Sequence, residues 1–207
     1  METDFDILSM QSDEDLVDQV LEGKVTSYSM LVKKYQRSLT RLAWRMTRDL
    51  DVADDVVQES FIKAYEKLSS LQGGKNFRSW IFQITVNTAK NKLRGREGKG
   101  VRLEDIDIIV MASEEAKMVN SAISGLIQTV VDALPVKQRT ALTLRVYEDM
   151  SFKEIAEIMD CPYDTAKANY RHALLKLKES LRKEVNFADW SFETDRSTNV
   201  FRLEAEG

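Results

Sequence analysis

The fold of the second half of this 207-residue chain is decided by the stretch SFKEIAEIMDCPYDT at residues 151–165. Ser151 can cap a helix N-terminus while Glu154 reaches back to it, which forms a capping box. Asp160 to Pro162 end that short helix, and a longer basic helix begins near Tyr163. A short helix, a tight turn and a longer basic helix predict a helix-turn-helix, whose second helix enters the major groove of DNA.

The predicted second helix carries polar and cationic side chains in its N-terminal half, where base edges and phosphates are within reach. Arg and Lys can recognise guanine, Asn can recognise adenine, and hydroxyls and other cations mostly hold phosphate. The alternative is a solvated basic face on a packing helix, which the capping box and the tight turn disfavour. The candidate DNA contacts are Tyr163, Thr165, Lys167, Asn169, Tyr170, Arg171 and His172.

Helical periodicity extends this module upstream. Apolar spacing resumes near Ala116 and stops at Pro135, and a further helix is predicted near residues 136–147. Residues 97–115 are predicted to be a linker, because glycine, charge and a short apolar patch at 106–111 replace any long period. We therefore predict a helical domain at residues 116–183, followed by a tail of uncertain structure at 184–207.

Residues 1–96 show the same helical spacing and predict a second small bundle. Asp49 is placed to cap a helix that follows it, and Gly73-Gly74 separates that helix from another at about residues 77–96. An acidic segment near residues 13–22 leads the module. The expected fold class is all-α, with two small helical domains joined by a flexible linker and a helix-turn-helix in the second.

The predicted helix at residues 77–96 interleaves aromatic and cationic side chains, a combination that can stack unpaired bases while following a nucleic-acid backbone. Each aromatic taken alone is more often a core residue. Asn87 and Asn91 lie one turn apart beside cations, although a solvated surface helix is the alternative. The candidate nucleic-acid contacts in this region are Lys75, Asn76, Phe77, Trp80, Asn87, Lys90, Asn91 and Arg94.

The stretch DDVVQESF at residues 54–61 places carboxylates early in a predicted helix. Paired catalytic carboxylates or metal ligands are a weak alternative, because no His accompanies them and the helix dipole already favours acids in a first turn. We interpret them as a face that docks on a protein. Its candidate residues are Asp54, Asp55, Gln58 and Glu59.

The charge distribution supports separate protein and nucleic-acid faces despite a net charge of -4. Residues 1–22 hold eight acids and no Lys or Arg, whereas residues 75–102 hold eight Lys and Arg against one acid.

An acidic start does not fit a signal peptide, so we expect a cytoplasmic protein without membrane insertion. One Cys and one His predict neither a disulfide nor a zinc site. No nucleophile–base pair, P-loop or dinucleotide motif is present, so we expect no enzyme activity, cofactor or metal.

On these residues the chain resembles the bacterial extracytoplasmic-function (ECF) group of sigma factors in the sigma-70 family, specifically the RpoE-like branch. The resemblance spans about residues 10–183. It implies that residues 1–96 are sigma region 2 and residues 116–183 are region 4, with no region 3 domain between them. Such proteins bind core RNA polymerase and recognise the −10 and −35 elements of promoter DNA to start transcription. The motifs that carry the resemblance are those at residues 54–61, 77–81, 86–91, 134–135 and 151–165.

The resemblance also implies roles for the candidate residues. The helix with Asp55, Gln58 and Glu59 would dock on the clamp helices of the beta-prime subunit, and region 4 would contact the flap of the beta subunit. The region with Asn87, Lys90 and Asn91 would recognise the −10 element, and the loop at residues 72–77 would capture an extruded base. The second helix of the helix-turn-helix would bind the −35 element. Because ECF factors are commonly held inactive by an anti-sigma factor, such a partner is also expected.

A stand-alone helix-turn-helix regulator with a sensor or dimerisation domain is the main alternative, and a helical scaffold or an enzyme is a weaker one. The basic aromatic helix with paired asparagines distinguishes the two leading hypotheses, because a sensor domain does not require it.

Overall fold

The computed structural model describes residues 11–71, 76–97 and 120–184, and within these ranges it is helical and contains no strand. The rest of the predicted linker and tail, and the Gly73-Gly74 break, lie outside the described residues. The helices, in chain order, are α1 (Asp13–Leu21), α2 (Val25–Thr47), α3 (Leu50–Glu66), α4 (Phe77–Glu97), α5 (Asn120–Asp132), α6 (Val136–Val146), α7 (Phe152–Met159) and α8 (Tyr163–Glu184), with a short 3-10 turn at Leu68–Ser70 after α3.

Capping residues set the starts of the helices as the sequence predicts. The Asp49 carboxylate accepts a hydrogen bond from the Val52 amide at 3.0 Å, which caps α3. The Ser151 hydroxyl accepts one from the Glu154 amide at 3.3 Å, and the Glu154 carboxylate accepts one from the Ser151 amide at 2.8 Å, so the predicted capping box before α7 is confirmed. Each such cap contributes about 1 kcal/mol.

The first module, residues 11–97, is a bundle built around α2. Helices α1, α3 and α4 all pack on α2, because its apolar residues recur every three or four positions. The core side chains Leu31, Leu39, Leu42, Ile81 and Phe82 have no solvent exposure. Each large apolar side chain contributes about 1.5–3 kcal/mol through burial, so this core can stabilise the module.

The second module, residues 120–184, is organised around α8, on which α5, α6 and α7 pack. Ala166 and Ala173 of α8 are fully buried, and Tyr170 between them is 7% exposed. The turn from α7 to α8 passes through Asp160, which has a φ of 53°. Asp tolerates this left-handed conformation better than most residues, so the predicted tight turn is confirmed.

The two modules also pack against each other, which the sequence did not predict. Helix α4 contacts α7, and α2 contacts α6. The guanidinium of Arg139 on α6 donates to the Met46 carbonyl of α2 at 3.4 Å. Both domains therefore meet along a shared interface. None of the helices in the described ranges is long and apolar enough to cross a bilayer.

Candidate polymerase and nucleic-acid interfaces

The acidic face of α3 comprises Asp54, Asp55, Gln58 and Glu59, and all but Glu59 are exposed. Glu59 forms ion pairs with two lysines. Its carboxylate lies 2.6 Å from Lys63 Nζ and 3.3 Å from Lys92 Nζ. The hydrogen bond from Lys63 is the main reason that the pKa of Glu59 is below its ordinary value. This carboxylate therefore stays ionised and fixed in direction, while its neighbours project into solvent.

Ile62 continues the acidic face and was missed by sequence reasoning. Its side chain is 58% exposed, and it follows Gln58 by four residues on the same side of α3. A large aliphatic side chain on the polar side of an amphipathic helix is the signal that could have identified it. The face thus offers an apolar contact beside carboxylates and an amide, a composition suited to binding a protein.

The polar candidate residues of α4 differ in their solvent exposure. Asn87, Asn91 and Arg94 are exposed, whereas Lys90 is half-buried. Asn76 precedes the helix, is exposed, and accepts a hydrogen bond from the Arg78 amide at 2.8 Å. Lys75 lies outside the described residues. Because positions 87, 91 and 94 recur at helical spacing, three polar side chains project from one side of α4.

The aromatic candidates of α4 belong to the core of the first module. Phe77 is 2% exposed, and its ring lies 5.7 Å from that of Tyr35 and 6.1 Å from that of Trp80. Trp80 is partly buried and packs against the same core. The expectation that Phe77 stacks on a base therefore needs correction, because apolar burial against α2 leaves no ring face for a nucleotide.

Lys90 is engaged inside the molecule. Its Nζ donates to the Met159 carbonyl at the end of α7, at 2.8 Å. Burial is the main reason that the pKa of this lysine is lowered. The cation predicted to bind DNA therefore contacts the second module in this structure.

Helix α8 presents most of its candidates to solvent. Tyr163, Thr165, Lys167, Arg171 and His172 are exposed, and they are joined near the N-terminus by Asn169, which is partly buried. The Asn169 amide group donates to the Thr165 carbonyl at 2.9 Å. The exposed set lies where a recognition helix meets base edges and phosphates.

Tyr170 departs from the predicted set because its side chain lies in the core. Its ring is 5.4 Å from that of Phe152, and burial raises its pKa. The expectation that Tyr170 contacts DNA is corrected on this ground. Its position between Ala166 and Ala173 places it on the packing side of α8.

Two protein-family models match the chain. They are "Sigma-70 region 2" over residues 31–98 and "Sigma-70, region 4" over residues 124–177. The chain is 35% identical to the RNA polymerase sigma-H factor of Pseudomonas aeruginosa, over 86% of this chain and 100% of that protein. It is 36% identical to the ECF RNA polymerase sigma-E factor of Haemophilus influenzae, over 76% of this chain and 88% of that protein. The ECF RNA polymerase sigma-E factor of Escherichia coli is 33% identical, over 84% of this chain and 94% of that protein.

Solved structures share the fold. The structure of CnrH in complex with the cytosolic domain of CnrY aligns with a TM-score of 0.63 at 19% identity, over 84% of this chain and 100% of that one. The sigma factor RpoE from Bartonella quintana, in complex with the anti-sigma factor NepR, aligns with a TM-score of 0.63 at 24% identity, over 76% and 98%. With both sigma regions matched and relatives covered almost end to end, the chain belongs to the ECF group of the sigma-70 family, whose members are transcription initiation factors of RNA polymerase.

Proposed function

We propose that this sigma factor docks on core RNA polymerase through the acidic face of α3 and recognises the −10 and −35 elements through α4 and α8. The observation that carries this proposal is the segregation of charge: exposed acids lie on α3, and exposed cations and amides lie on α4 and α8. Each surface is then dominated by one kind of charge and can bind a partner of different chemistry.

The docking step rests on Asp55, Gln58, Glu59 and Ile62. The aliphatic side chain would be desolvated at the centre of the contact, and the flanking carboxylates would select a partner with complementary charge. By family resemblance, that partner is the clamp helices of the beta-prime subunit. The beta flap would receive the second module.

Recognition of the −10 element is assigned to Asn87, Asn91 and Arg94, with Lys90 once it is released from Met159. Amide side chains can bond to the Watson–Crick edges of unstacked bases, and the arginine can neutralise phosphate. Unstacking a base costs a few kcal/mol, so contacts made only with the opened strand favour melting.

Recognition of the −35 element is assigned to the exposed N-terminal half of α8. Lys167 and Arg171 lie four residues apart, so both can face one groove wall. Thr165, Asn169 and His172 lie in the same half of the helix and complete the contact surface.

A protein inhibitor is also part of the proposal. The two solved structures described above each contain a bound second protein, the cytosolic domain of CnrY with CnrH and the anti-sigma factor NepR with RpoE. We place the chain in the cytoplasm, where polymerase, promoter DNA and such an inhibitor would meet.

In-vitro transcription with purified core polymerase and a random promoter library tests the function directly. We expect transcripts only when the chain is added, with two enriched upstream elements at a fixed spacing. Silence of every template, with no inhibitor present, would contradict the proposal.

Charge reversal of the acidic face tests the docking step. We expect Asp55→Lys combined with Glu59→Lys to weaken core-polymerase binding at least tenfold, because the changed side chains would repel the partner's cations and also Lys63 and Lys92. The matched control is Glu14→Lys with Asp18→Lys, which reverses two exposed acids on α1. Affinity measured by fluorescence anisotropy should change less than twofold in the control. Unchanged affinity in the α3 variant, with its helical circular dichroism intact, would remove the docking assignment.

A further inference from the structure

Helix α8 carries an exposed apolar side chain between two exposed arginines. Leu175 is 53% exposed, whereas Leu174 and Leu177 beside it pack against the core. Arg171 precedes Leu175 by about one helical turn and Arg182 follows it by about two, so the three side chains lie on one side of α8. Both arginines are exposed. These three residues, Arg171, Leu175 and Arg182, form the surface that we call the α8 stripe.

The composition of the α8 stripe fits a partner that is both acidic and aromatic. Guanidinium groups pair with carboxylates through parallel hydrogen bonds, and they also stack on aromatic rings. An exposed leucine adds a place where an aromatic ring can be removed from water. One exposed leucine alone is ordinary on a soluble protein. Its position between two arginines is what favours an acidic aromatic segment over other partners.

The chain itself contains such a segment immediately after α8. Residues 185–195, VNFADWSFETD, hold three acids and no Lys or Arg. They also hold three aromatic residues, Phe187, Trp190 and Phe192. We call these residues the acidic aromatic segment. They lie outside the described residues, and the sigma-70 region 4 match ends before them, at residue 177. The match to the family therefore does not account for their composition.

The acidic aromatic segment is long enough to return to the α8 stripe. Leu175 lies nine residues before Glu184, where α8 ends, so it is about 14 Å back along the helix axis. An extended chain spans about 3.3 Å per residue, so the six residues from Glu184 to Trp190 cover up to about 20 Å. After one reversal of the chain, Trp190 can therefore reach Leu175, and the neighbouring acids come close to the arginines.

We propose that the acidic aromatic segment folds back along α8 and docks on the α8 stripe. Its aromatic side chains cover Leu175, and its carboxylates pair with Arg171 and Arg182. Covalent attachment gives the segment a high effective concentration at the stripe, which a separate acidic partner lacks.

The docking has a consequence for DNA, and this consequence rests on the proposed function. Arg171 is also a proposed contact with the −35 element, so the docked segment and promoter DNA compete for the same guanidinium group. The segment thereby sets how tightly the second module binds DNA.

Photo-crosslinking in the full chain tests the docking. Benzoylphenylalanine replaces Ser191, beside the aromatic residues of the segment, and mass spectrometry locates the crosslinked peptides. We expect most crosslinks on α8 between residues 171 and 182. Leu175→Gln removes the apolar centre of the stripe and should reduce their yield about fivefold, because a smaller fraction of the segment is docked.

The matched control is Lys176→Gln, at an exposed position. It lies almost as far along the chain from the segment as Leu175 does, but about 100° around the helix, so it should change the crosslink yield less than twofold. This control also removes a cation, which makes it the more demanding comparison. Circular dichroism of both variants confirms that α8 is intact.

Mixtures of heavy-isotope and normal chains identify the occupant of the α8 stripe. Crosslinks within one copy support the proposal, whereas crosslinks that join a heavy copy to a light copy would overturn it in favour of a second copy. Crosslinks spread evenly over both modules, or equal yields in the Leu175→Gln and Lys176→Gln chains, would also overturn it. Trp190→Ala combined with Phe192→Ala changes only the segment, and it should reduce the yield about fivefold without altering α8.

Holoenzyme affinity for a duplex −35 element tests the competition with DNA. The element is the one selected in the transcription library, and fluorescence anisotropy measures binding. We expect Trp190→Ala combined with Phe192→Ala to tighten binding about fivefold, because the segment occupies α8 less often. In a Leu175→Gln chain the same pair should change affinity less than twofold, because the docking surface is already lost.

Unchanged DNA affinity in the segment variant would refute the competition. Transcription by the unchanged chain separates this inference from the proposed function. Its absence would refute the proposed function, whereas the crosslinks report on the docking without polymerase or DNA.

Discussion

Helices α4 and α8 are two cationic helices of similar length, 21 and 22 residues, but they are used differently by the fold. Helix α4 runs between α2 and α3 of its own module and α7 of the other, so both its aromatic residues and Lys90 are engaged. Helix α8 turns Ala166, Tyr170 and Ala173 inward and leaves the remaining side of its N-terminal half exposed. Similar composition therefore gives two proposed DNA surfaces that differ in solvent exposure, and the packing neighbours decide which one is exposed.

The largest expected effect is on the free energy of unfolding, and it should differ between the buried start of α4 and the exposed start of α8. We expect Phe77→Ala to lower the free energy of unfolding by about 3–5 kcal/mol, because it leaves a cavity against Tyr35 and Trp80. Tyr163→Ala, at the exposed start of α8, should cost less than about 1 kcal/mol. Urea denaturation followed by circular dichroism measures both. Similar losses in the two variants would contradict the difference in burial.

The next effect concerns the exposed amides of α4. We expect Asn87→Ala combined with Asn91→Ala to reduce promoter opening about 100-fold, because each lost base contact costs about 1–3 kcal/mol. Core-polymerase binding should be unchanged. Permanganate reactivity of unpaired thymines measures opening, and Gln36→Ala, an exposed amide on α2, is the control. An equal loss of opening and of polymerase binding would refute the assignment of these asparagines.

The smallest effect concerns the exposed cations of α8. We expect Lys167→Ala combined with Arg171→Ala to weaken holoenzyme binding to a duplex −35 element about tenfold at moderate salt. The slope of affinity against salt concentration should also fall by about 2, because each lost phosphate contact lowers it by about 1. Anisotropy titrations at several salt concentrations measure both quantities. Lys67→Ala, on the first module, should leave the slope intact, and an unchanged slope in the double variant would indicate that α8 does not contact phosphate.

Local signals in the sequence predicted most helix boundaries correctly. Asp49 and the Ser151–Glu154 pair fix helix starts through contacts within three residues, and Asp160 fixes a turn through its own backbone angles. Such interactions depend little on the rest of the fold, so a sequence pattern identifies them. The family matches then confirmed the sigma-70 assignment over the stand-alone regulator.

Burial of individual aromatic residues could not be predicted in the same way. Phe77 and Tyr170 sit among cations in the sequence, and each is a core residue in the structure because of a ring from another helix, Tyr35 and Phe152 respectively. Those partners are remote or on a different helix, so a contact between them depends on how the helices pack. The exposure of Ile62, by contrast, could have been inferred from its spacing, which places it on the polar side of α3 four residues after Gln58.

The sequence alone determined that this chain is helical, that acidic and basic residues are concentrated in different segments, and that a helix-turn-helix begins at Ser151, because these properties follow from side-chain chemistry and spacing over a few residues. Only the tertiary structure decided which of those side chains reach solvent and that Glu148 and the end of α7 meet the cations of the first module. These contacts join residues about 70 to 107 positions apart. Hydrophobic burial within and between the two modules, together with the charges at their boundary, fixes such pairs, and the local spacing of residues does not reveal them.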